Sequence, residues 1–300
     1  MKFSSLSRTQ AETLLAALIL ARSTSYVMTK VGIRGMDTFA LLGVRFITAF
    51  LILLPLGLGR LRAASRGTAL RGMAIGAAFF SVMTLEVTAL RTADASTVAF
   101  LENMAIVFVP LLEAALHRVL PRPAVVMSAL ISLSGVALLT LRGGGLALSS
   151  GEMLALLAAA LYACAIIITD RLSHQDDPLA VGILQVGFMG AFAAAAGVLR
   201  GTFRMPASTL EWQVILGLAV ICSVFGFTLQ PLAQSRTSSE RAGLLCALGP
   251  AGATLWGRIF LGERVGAFQV LGMALILLGM LFTGIWDRFF GSGGRPLRQS

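Results

Sequence analysis

The chain has 300 residues, of which 57% are hydrophobic and 13% are charged, and its formal net charge is +10 at pH 7. A soluble domain carries about 25% charged and about 45–50% apolar residues, so this composition excludes a soluble globular protein and indicates an integral membrane protein. The basic residues are scattered among short loops, where positive charge orients membrane helices, so the net charge does not predict a nucleic-acid partner.

The apolar runs are long enough for helices that cross a ~30 Å hydrocarbon core, which takes roughly 20 residues, and they are not the ~10-residue alternating strands of a barrel. Lys2 and Arg8 precede the first run and no small-residue cleavage site follows a short core, so a first membrane helix is predicted instead of a signal peptide. We expect an all-α integral membrane protein with no metal or other cofactor. Ten spans are predicted, at 11–31, 38–59, 72–90, 96–116, 124–141, 150–169, 179–199, 212–233, 239–257 and 265–286.

The distribution of lysine and arginine predicts the orientation of the chain. Loops on one side are richer in these residues, and the cytoplasmic side of a membrane protein carries this excess. The loop between the second and third spans decides the assignment, because it holds Arg60, Arg62, Arg66 and Arg71. Both termini are therefore predicted to be cytoplasmic, in a multi-pass protein of a bacterial inner membrane.

The two halves of the chain share one pattern. "IVFVPLLEAALHRVL" before "LSGVALL" corresponds to "CALGPAGATLWGRIFLGE" before "ILLGMLF", and each half has a span with an internal proline, Pro110 or Pro250. Five spans is an odd number, so the second half enters from the opposite side, and two inverted five-helix repeats are typical of secondary transporters. The predicted units are repeats at 1–145 and 146–289 and a flexible cytoplasmic tail at 290–300.

At these residues the chain resembles the ten-helix EamA-type members of the drug/metabolite transporter superfamily. The resemblance covers nearly the whole chain and implies an exporter of a small metabolite. Three positions depart from the family pattern where such proteins line their cavity: Arg22-Ser23 replaces Trp-Gly, Gly249 replaces Glu, and Glu102-Asn103 replaces small or hydroxyl residues. The similar segments are "STSYVMTKVGI", "LGVRFITAFLILL", "ASTVAFLENMAIVFVPLL", "LYACAIIITDRLSHQDDPLAVGILQ", "TSSERAGLLCALGP" and "LGERV".

Four ionisable residues lie inside predicted spans, namely Arg22, Arg45, Glu86 and Glu102. A charge near mid-bilayer costs at least ~2.5–3.5 kcal/mol on insertion scales, so each should face a cavity or a partner. At 1.5 Å per helical residue, the two glutamates have similar depths on adjacent antiparallel helices. Two interpretations stay open. The arginines and glutamates form ion pairs that fix helix packing, or they line a substrate cavity in which one carboxylate changes protonation, with Glu102 favoured because Asn103 is adjacent.

Other polar residues in the spans have less specific interpretations. Tyr26 and Tyr162 are predicted cavity walls. Gln185 and Gln230 either contact substrate or form hydrogen bonds between helices. Lys30 is close enough to a helix end for its ammonium group to reach the membrane surface.

Pro110 and Pro250 are predicted hinges. A proline removes one backbone hydrogen bond and bends a helix, and membrane helices tolerate this where neighbours satisfy the backbone. Because the two prolines occupy corresponding places in the repeats, paired bends would let each half rock. A static bend that only shapes the bundle is the alternative.

The function predicted from these features is secondary transport. The resemblance implies that the substrate is a small polar or amphipathic metabolite, amino-acid-like or drug-like, and that it is exported across the inner membrane. The inverted repeats predict alternating access. The sequence has no ATP-binding loop, so coupling would come from an ion gradient, with protons as the candidate, or from substrate alone. Arginine and glutamate at mid-depth suit a zwitterion. The other partner is membrane lipid, and a homodimer is left open.

An intramembrane enzyme or a non-transporting membrane sensor is the alternative. An enzyme needs a metal-binding acidic cluster or a nucleophile with its base at the membrane surface. The nearest candidate is "TDRLSHQDDP", which contains Asp170, His174, Asp176 and Asp177. Pro178 and the loop position favour a solvated turn there, so the chain is not predicted to be an enzyme.

Overall fold

The computed structural model describes residues 8–142, 145–146, 148–173, 177–226 and 245–290. The regular secondary structure of these residues is helical, apart from a hairpin that pairs β1 (Leu141–Arg142) with β2 (Gly145–Leu146). The α-helices are α1 (Arg8–Gly32), α2 (Thr38–Ala63), α3 (Arg66–Ala89), α4 (Ala95–Glu102), α5 (Ala105–Leu116), α6 (Pro123–Leu139), α7 (Ser150–Ser173), α8 (Pro178–Leu199), α9 (Thr209–Gly217), α10 (Leu248–Trp256) and α11 (Ala267–Phe290). Two π-helical segments, Leu218–Val224 and Gly257–Leu261, continue α9 and α10.

The all-α membrane class is confirmed. Three shorter apolar helices, Pro123–Leu139, Thr209–Val224 and Ala267–Phe282, lie in the predicted fifth, eighth and tenth spans, and α10 lies in the ninth. The full count of ten spans and their inverted arrangement stay predictions. Within the described residues, six helices are long and apolar enough to cross a bilayer: Thr9–Gly32, Thr38–Ala63, Arg66–Ala89, Ala95–Leu116, Ser150–Leu172 and Pro178–Leu199.

The basic loop after the second span is shorter than predicted, because helix continues into it from both sides. α2 extends to Ala63, and α3 already begins at Arg66. Ser65 caps α3, since its hydroxyl accepts the Thr68 N–H at 3.1 Å and the Thr68 side chain accepts the Ser65 N–H. Arginine is a good helix former, so the end of the apolar run did not mark the end of the helix.

The predicted fourth span breaks at Asn103 and Met104, between α4 and α5. The Ala99 carbonyl accepts both the Asn103 N–H at 3.2 Å and the Asn103 side-chain amide at 2.7 Å, and the Met104 N–H turns back to Leu101. An asparagine side chain competes in this way with the regular helical bonds. Pro110, where a bend is predicted, lies within α5.

The described residues form two compact units. The larger takes them from Met1–Ala105 and Leu148–Arg264, and the smaller from Ile106–Ala147 and Val265–Ser300. Each unit therefore draws on both predicted repeats. In the larger unit, α2 packs on α8, α3 packs on α7 and α8, and α1 packs on α10, while α4 contacts both α7 and α10.

In the smaller unit, α6 packs along α11. The backbones approach closely, because a Cβ added at Gly272 would lie 2.6 Å from the carbonyl oxygen of Gly135. The Ser128 hydroxyl donates to the carbonyl of Gly279 at 2.6 Å. Small residues allow this close packing of membrane helices.

The larger unit has two polar ends. At the Asp37 end, where α1 finishes and α2 begins, Asp37 caps α2 by accepting the Phe39 N–H at 2.9 Å and also accepts the Thr202 hydroxyl at 3.0 Å. Arg204 donates to the carbonyl of Gly35 at the same end. These bonds join the loop before α2 to the loop after α8.

At the Arg60 end, where α2 finishes and α8 begins, Arg60 forms an ion pair with Asp177. Asp177 also caps α8 by accepting the N–H groups of Leu179 and Ala180 at 2.9 and 3.2 Å. Burial alone would raise the pKa of Asp177, but the Ala180 N–H and then the Arg60 side chain outweigh it and hold that pKa below its ordinary value.

Candidate functional site

Two carboxyl groups from different helices meet inside the larger unit. Glu86, near the end of α3, and Glu102, the last residue of α4, are only 4% and 3% exposed. Their carboxyl groups lie close enough to interact directly. The hydroxyl of Tyr26, on α1, donates to Glu102 Oε2 at 2.9 Å. The depths read from the sequence therefore correspond to a contact that three helices build.

Two arginines accompany this carboxylate pair. Arg45, on α2, is 6% exposed; its Nε donates to the Ser223 hydroxyl at 3.2 Å, and its guanidinium lies 4.8 Å from the centre of the Phe46 ring. Arg22 lies along the backbone of Gly226, where an added Cβ would be 3.1 Å from Nε. Both guanidinium groups act electrostatically on the carboxyl group of Glu86. Arg45 is buried and Arg22 is half-buried, so two acidic and two basic side chains share one largely buried region.

Among the described residues Arg45 forms no ion pair within 4.0 Å, in contrast to the ion-pair interpretation. Its hydrogen-bond partner there is the hydroxyl of Ser223, which itself donates to the Leu218 carbonyl at 3.2 Å. Ser223 and Leu218 belong to the π-helical segment after α9. The Ser223 hydroxyl, which is bonded to the Leu218 carbonyl, therefore contacts the Nε edge of the guanidinium.

Tyr162, on α7, lies at this region as well. Its ring meets the Phe79 ring edge-on, with centroids 5.7 Å apart and an interplanar angle of 69°. The phenol is close enough to Glu102 and Arg22 to interact electrostatically with both. Tyr26 and Tyr162 thus bring aromatic rings and hydroxyl groups from two helices to the carboxylate pair.

Asn103, Gln185 and Gln230 are the amide side chains predicted to belong to the site. No described contact joins them to Glu86 or Glu102. Asn103 donates its amide to the Ala99 carbonyl. Gln185 is 4% exposed on α8, and its Nε2 has no hydrogen-bond partner among the described residues. Gln230 lies outside the described residues.

The two predicted hinge prolines occupy different local positions. Pro110 lies in the middle of α5, where it removes an internal hydrogen bond. Pro250 lies in the first turn of α10, where its missing N–H would have no partner inside the helix. The pattern of the repeats matched the prolines by sequence, but it did not show where each helix begins.

The sequence interpretation missed a buried ion pair at the Asp37 end. Lys30 was expected to extend to the membrane surface, but its side chain is only 20% exposed. Its Nζ donates to the Ala93 carbonyl at 2.8 Å and lies 3.3 Å from Glu263 Oε1. That expectation was wrong because the partner is remote in sequence, and the only signal for Glu263 was its place in "LGERV".

The candidate enzyme segment lies partly outside the described residues. His174 and Asp176 fall outside the described residues, and Asp177 is used to cap α8 and to pair with Arg60. Within the described ranges, no group of three or more His, Cys, Asp or Glu residues could hold a metal ion.

Comparison with known proteins places these features in a family. The model of the EamA-like transporter family matches residues 10–141 and 149–285. A solved structure, described only as the crystal structure of a protein, matches 94% of this chain and 99% of its own with a TM-score of 0.64 at 21% identity, which shows a shared fold.

Curated relatives are transporters by name. The threonine/homoserine exporter RhtA of Escherichia coli K12 is 29% identical over 131 residues, which are 43% of each chain. The uncharacterized transporter YcbK of Bacillus subtilis is 27% identical over 153 residues, 48% of this chain and 47% of YcbK. An uncharacterized transporter of Archaeoglobus fulgidus is 23% identical over 279 residues, 93% of this chain and 87% of its own. The chain thus spans about half the length of the first two relatives.

Proposed function

Because this chain belongs to the EamA-like transporter family and is a multi-pass membrane transporter, we propose that it exports a small amino-acid-like zwitterion in exchange for protons. The observation that carries this proposal is the contact of Glu86 with Glu102, in one buried region with Arg45. The name of RhtA, a threonine/homoserine exporter, supports the same class of substrate and the outward direction.

The carboxylate pair is the proposed coupling site. Two carboxylates in contact and away from solvent repel each other when both are ionised, so the pair favours binding either a proton or a substrate ammonium group. Binding of one then excludes the other, which is the requirement for exchange. The hydroxyl of Tyr26 orients Glu102 for both forms, since it can donate to a carboxylate or accept from a protonated carboxyl group.

Arg45 is the proposed partner of the substrate carboxylate. A guanidinium presents a planar fork of donors that matches a carboxylate with two parallel bonds. The Ser223 hydroxyl holds Arg45 through Nε. A zwitterion would then place its carboxylate at Arg45 and its ammonium group at the glutamates, with Arg22 balancing charge and Tyr162 forming a wall.

The proposed cycle is alternating access across a bacterial inner membrane, with both termini in the cytoplasm. Under this orientation the Asp37 end faces the outside and the arginine-rich Arg60 end faces the cytoplasm. Pro110 and Pro250 are the proposed hinges. Gln185 and Gln230 stay proposed contacts, either for substrate or between helices.

Transport from proteoliposomes tests the proposal. A panel would compare threonine and homoserine with alkylamines, which lack the carboxylate, and with carboxylic acids, which lack the amine. We expect transport of the zwitterions alone. Arg45→Gln should lower the affinity for them roughly ten- to a hundredfold, because it removes a charged hydrogen-bond donor, and Arg45→Lys should restore only part of it.

Arg60→Gln is the matched control, since Arg60 is an exposed arginine at one end of α2. It should transport like the unchanged protein. Equal transport of alkylamines and zwitterions would contradict the proposed substrate class and would favour a drug-like amphipathic cation. Unchanged zwitterion affinity in Arg45→Gln would remove Arg45 from the site.

A further inference from the structure

The carboxylate of Glu263 lies at the start of α4. Its Oε1 accepts the Ala95 N–H at 2.6 Å, and its Oε2 accepts the N–H and the hydroxyl of Ser96 at 3.1 and 2.7 Å. Lys30, from α1, pairs with the same carboxylate at 3.3 Å. The side chain of Glu263 is only 4% exposed. Hydrogen bonds to an ionised acceptor are stronger than neutral ones, so this is a strong tie between three segments.

The start of α4 depends on this remote partner. The first N–H groups of a helix have no acceptor within the helix, and a negative charge near them is also favoured by the helix dipole. The residue in the N-cap position of α4, Asp94, makes no side-chain capping bond. Glu263, 168 residues further along the chain from Ala95, supplies the missing acceptor.

The backbone around Glu263 is shaped to deliver its carboxylate to α4. Gly262 ends the second π-helical segment with a φ of 68°, a left-handed conformation that glycine adopts without strain. A Cβ added at Gly257 would lie 2.6 Å from Glu263 Oε2, so this glycine leaves the space that the carboxylate occupies.

We propose that Glu263 is a positioning residue that locks α4, and with it Glu102, in the closed position at the Asp37 end, and that this lock opens in each transport cycle. α4 is a short helix. Glu263 binds its start, and it ends at the break at Asn103. Its eight residues span about 12 Å from the Glu263 contacts to Glu102, and the helix stops immediately after Glu102. A tilt of α4 at the Asn103 break would therefore move Glu102 and open the Asp37 end together.

The lock depends on the proposed function only because that function gives Glu102 a coupling role. The contacts of Glu263 are observed independently of it. Its test accordingly uses accessibility and not transport. The three native cysteines, Cys164, Cys222 and Cys246, are first replaced by serine. Thr97→Cys then places a reporter on α4, at a side chain that is 2% exposed. The measurement is the rate of maleimide labelling of the purified protein in nanodiscs.

Glu263→Gln should raise the labelling rate of the Thr97→Cys reporter about tenfold, because it weakens the buried bonds to the start of α4. Glu263→Asp, which keeps the charge on a shorter side chain, should restore part of the protection. Ser96→Ala removes one bond to Oε2 and leaves Glu263 and Lys30 in place, so it should raise the rate several-fold. A second reporter, Ala180→Cys, lies in the first turn of α8 at the Arg60 end, at a residue that is 1% exposed, and should not respond.

Glu211→Gln is the matched control variant, because Glu211 pairs with Arg204 at the same end and makes no described contact with α4. An equal rise of labelling in Glu211→Gln would overturn the lock. Unchanged labelling of Thr97→Cys in folded Glu263→Gln would overturn it as well. If Glu263→Gln does not fold, unchanged labelling in both Ser96→Ala and Glu263→Asp overturns it. Altered labelling without zwitterion exchange would retain the lock and refute the proposed transport.

Discussion

The two ends of the larger unit are held together in different ways. At the Asp37 end, the buried carboxylate of Glu263 binds α4 and Lys30, and Arg204 joins the loop after α8 to Gly35. At the Arg60 end, one described tie is an ion pair whose side chains, Arg60 and Asp177, are 55% and 37% exposed. Among the described contacts, the Asp37 end thus contains a buried carboxylate as well as an exposed arginine, and the Arg60 end contains a surface ion pair.

The buried Glu263 contacts and the exposed Arg60–Asp177 pair differ in the free energy needed to break them. An exposed ion pair is worth about 0–1 kcal/mol, because water screens it and two long side chains must be ordered. Removing one partner of a buried charged group costs more, since the other partner is left without its bonds. A transporter that alternates must break the buried set in one half of its cycle. We therefore expect the proton or the substrate to supply part of that free energy at the carboxylate pair.

The largest effect concerns which side of the membrane each end faces. Reporter domains fused after Arg66 and after Arg204 should report cytoplasm and periplasm respectively, because the arginines near Arg66 favour the cytoplasmic side. The readout is all or none, with a phosphatase active only outside and a fluorescent protein folded only inside. The reverse pattern would exchange the assignment of the two ends and refute the proposed outward closure.

A smaller effect concerns the proposed hinge motion by which the Asp37 end would open. Pro110→Ala restores a hydrogen-bond donor in the middle of α5 and should slow transport several-fold while the protein stays folded in detergent. Pro250→Ala should change transport less, because Pro250 lies in the first turn of α10. Stopped-flow measurement in proteoliposomes compares the two. Unchanged flux in Pro110→Ala would reduce that proline to a static bend.

The smallest effect concerns the carboxylate of Glu211 at the Asp37 end. The Arg204 side chain, followed by the Ala207 N–H, lowers the pKa of Glu211 to about 2. This lies below the unfolded value of about 4.3, so the stability from Glu211 is present above pH 4.3 and is lost as the pH falls towards 2. Glu211→Gln should lower the melting temperature slightly at pH 6 and leave it unchanged near pH 2.

The exposed Arg60–Asp177 pair at the Arg60 end is the comparison for the stability measurement on Glu211→Gln. Arg60→Gln should also change the free energy of unfolding by less than about 1 kcal/mol at pH 6. A large loss of stability in Arg60→Gln would contradict the contrast between the ends. A Glu211→Gln difference that persists near pH 2 would show that its effect does not come from the charge.

The sequence predicted depth well and rotation poorly. Glu86 and Glu102 could be placed at one depth because a helix rises by a fixed distance per residue. Their contact could not be derived, since nearly uniform hydrophobicity around a membrane helix leaves no polar face to fix its rotation. The hydroxyl of Tyr26 at Glu102 was therefore also beyond reach, although Tyr26 had been assigned to the cavity.

Contacts between residues remote in sequence could not be predicted. Lys30 lies near a helix end, which suggests exposure, but Glu263 is 233 residues away and only the fold brings it to Lys30. The break at Asn103 was hidden by a stronger signal, Pro110, further along the same apolar run. Asn103 could have signalled it, because its side chain competes for backbone carbonyls.

Proton exchange at the carboxylate pair is tested most directly by substrate efflux driven by a pH gradient in proteoliposomes. With the unchanged protein, an inward-directed proton gradient should accelerate efflux, and each substrate should be accompanied by proton uptake. Glu102→Gln should bind substrate but lose both the pH dependence and the proton uptake. Glu113→Gln, which changes an exposed carboxylate on α5, should behave like the unchanged protein. A normal pH profile with normal proton uptake in both Glu102→Gln and Glu86→Gln would contradict coupling at this site.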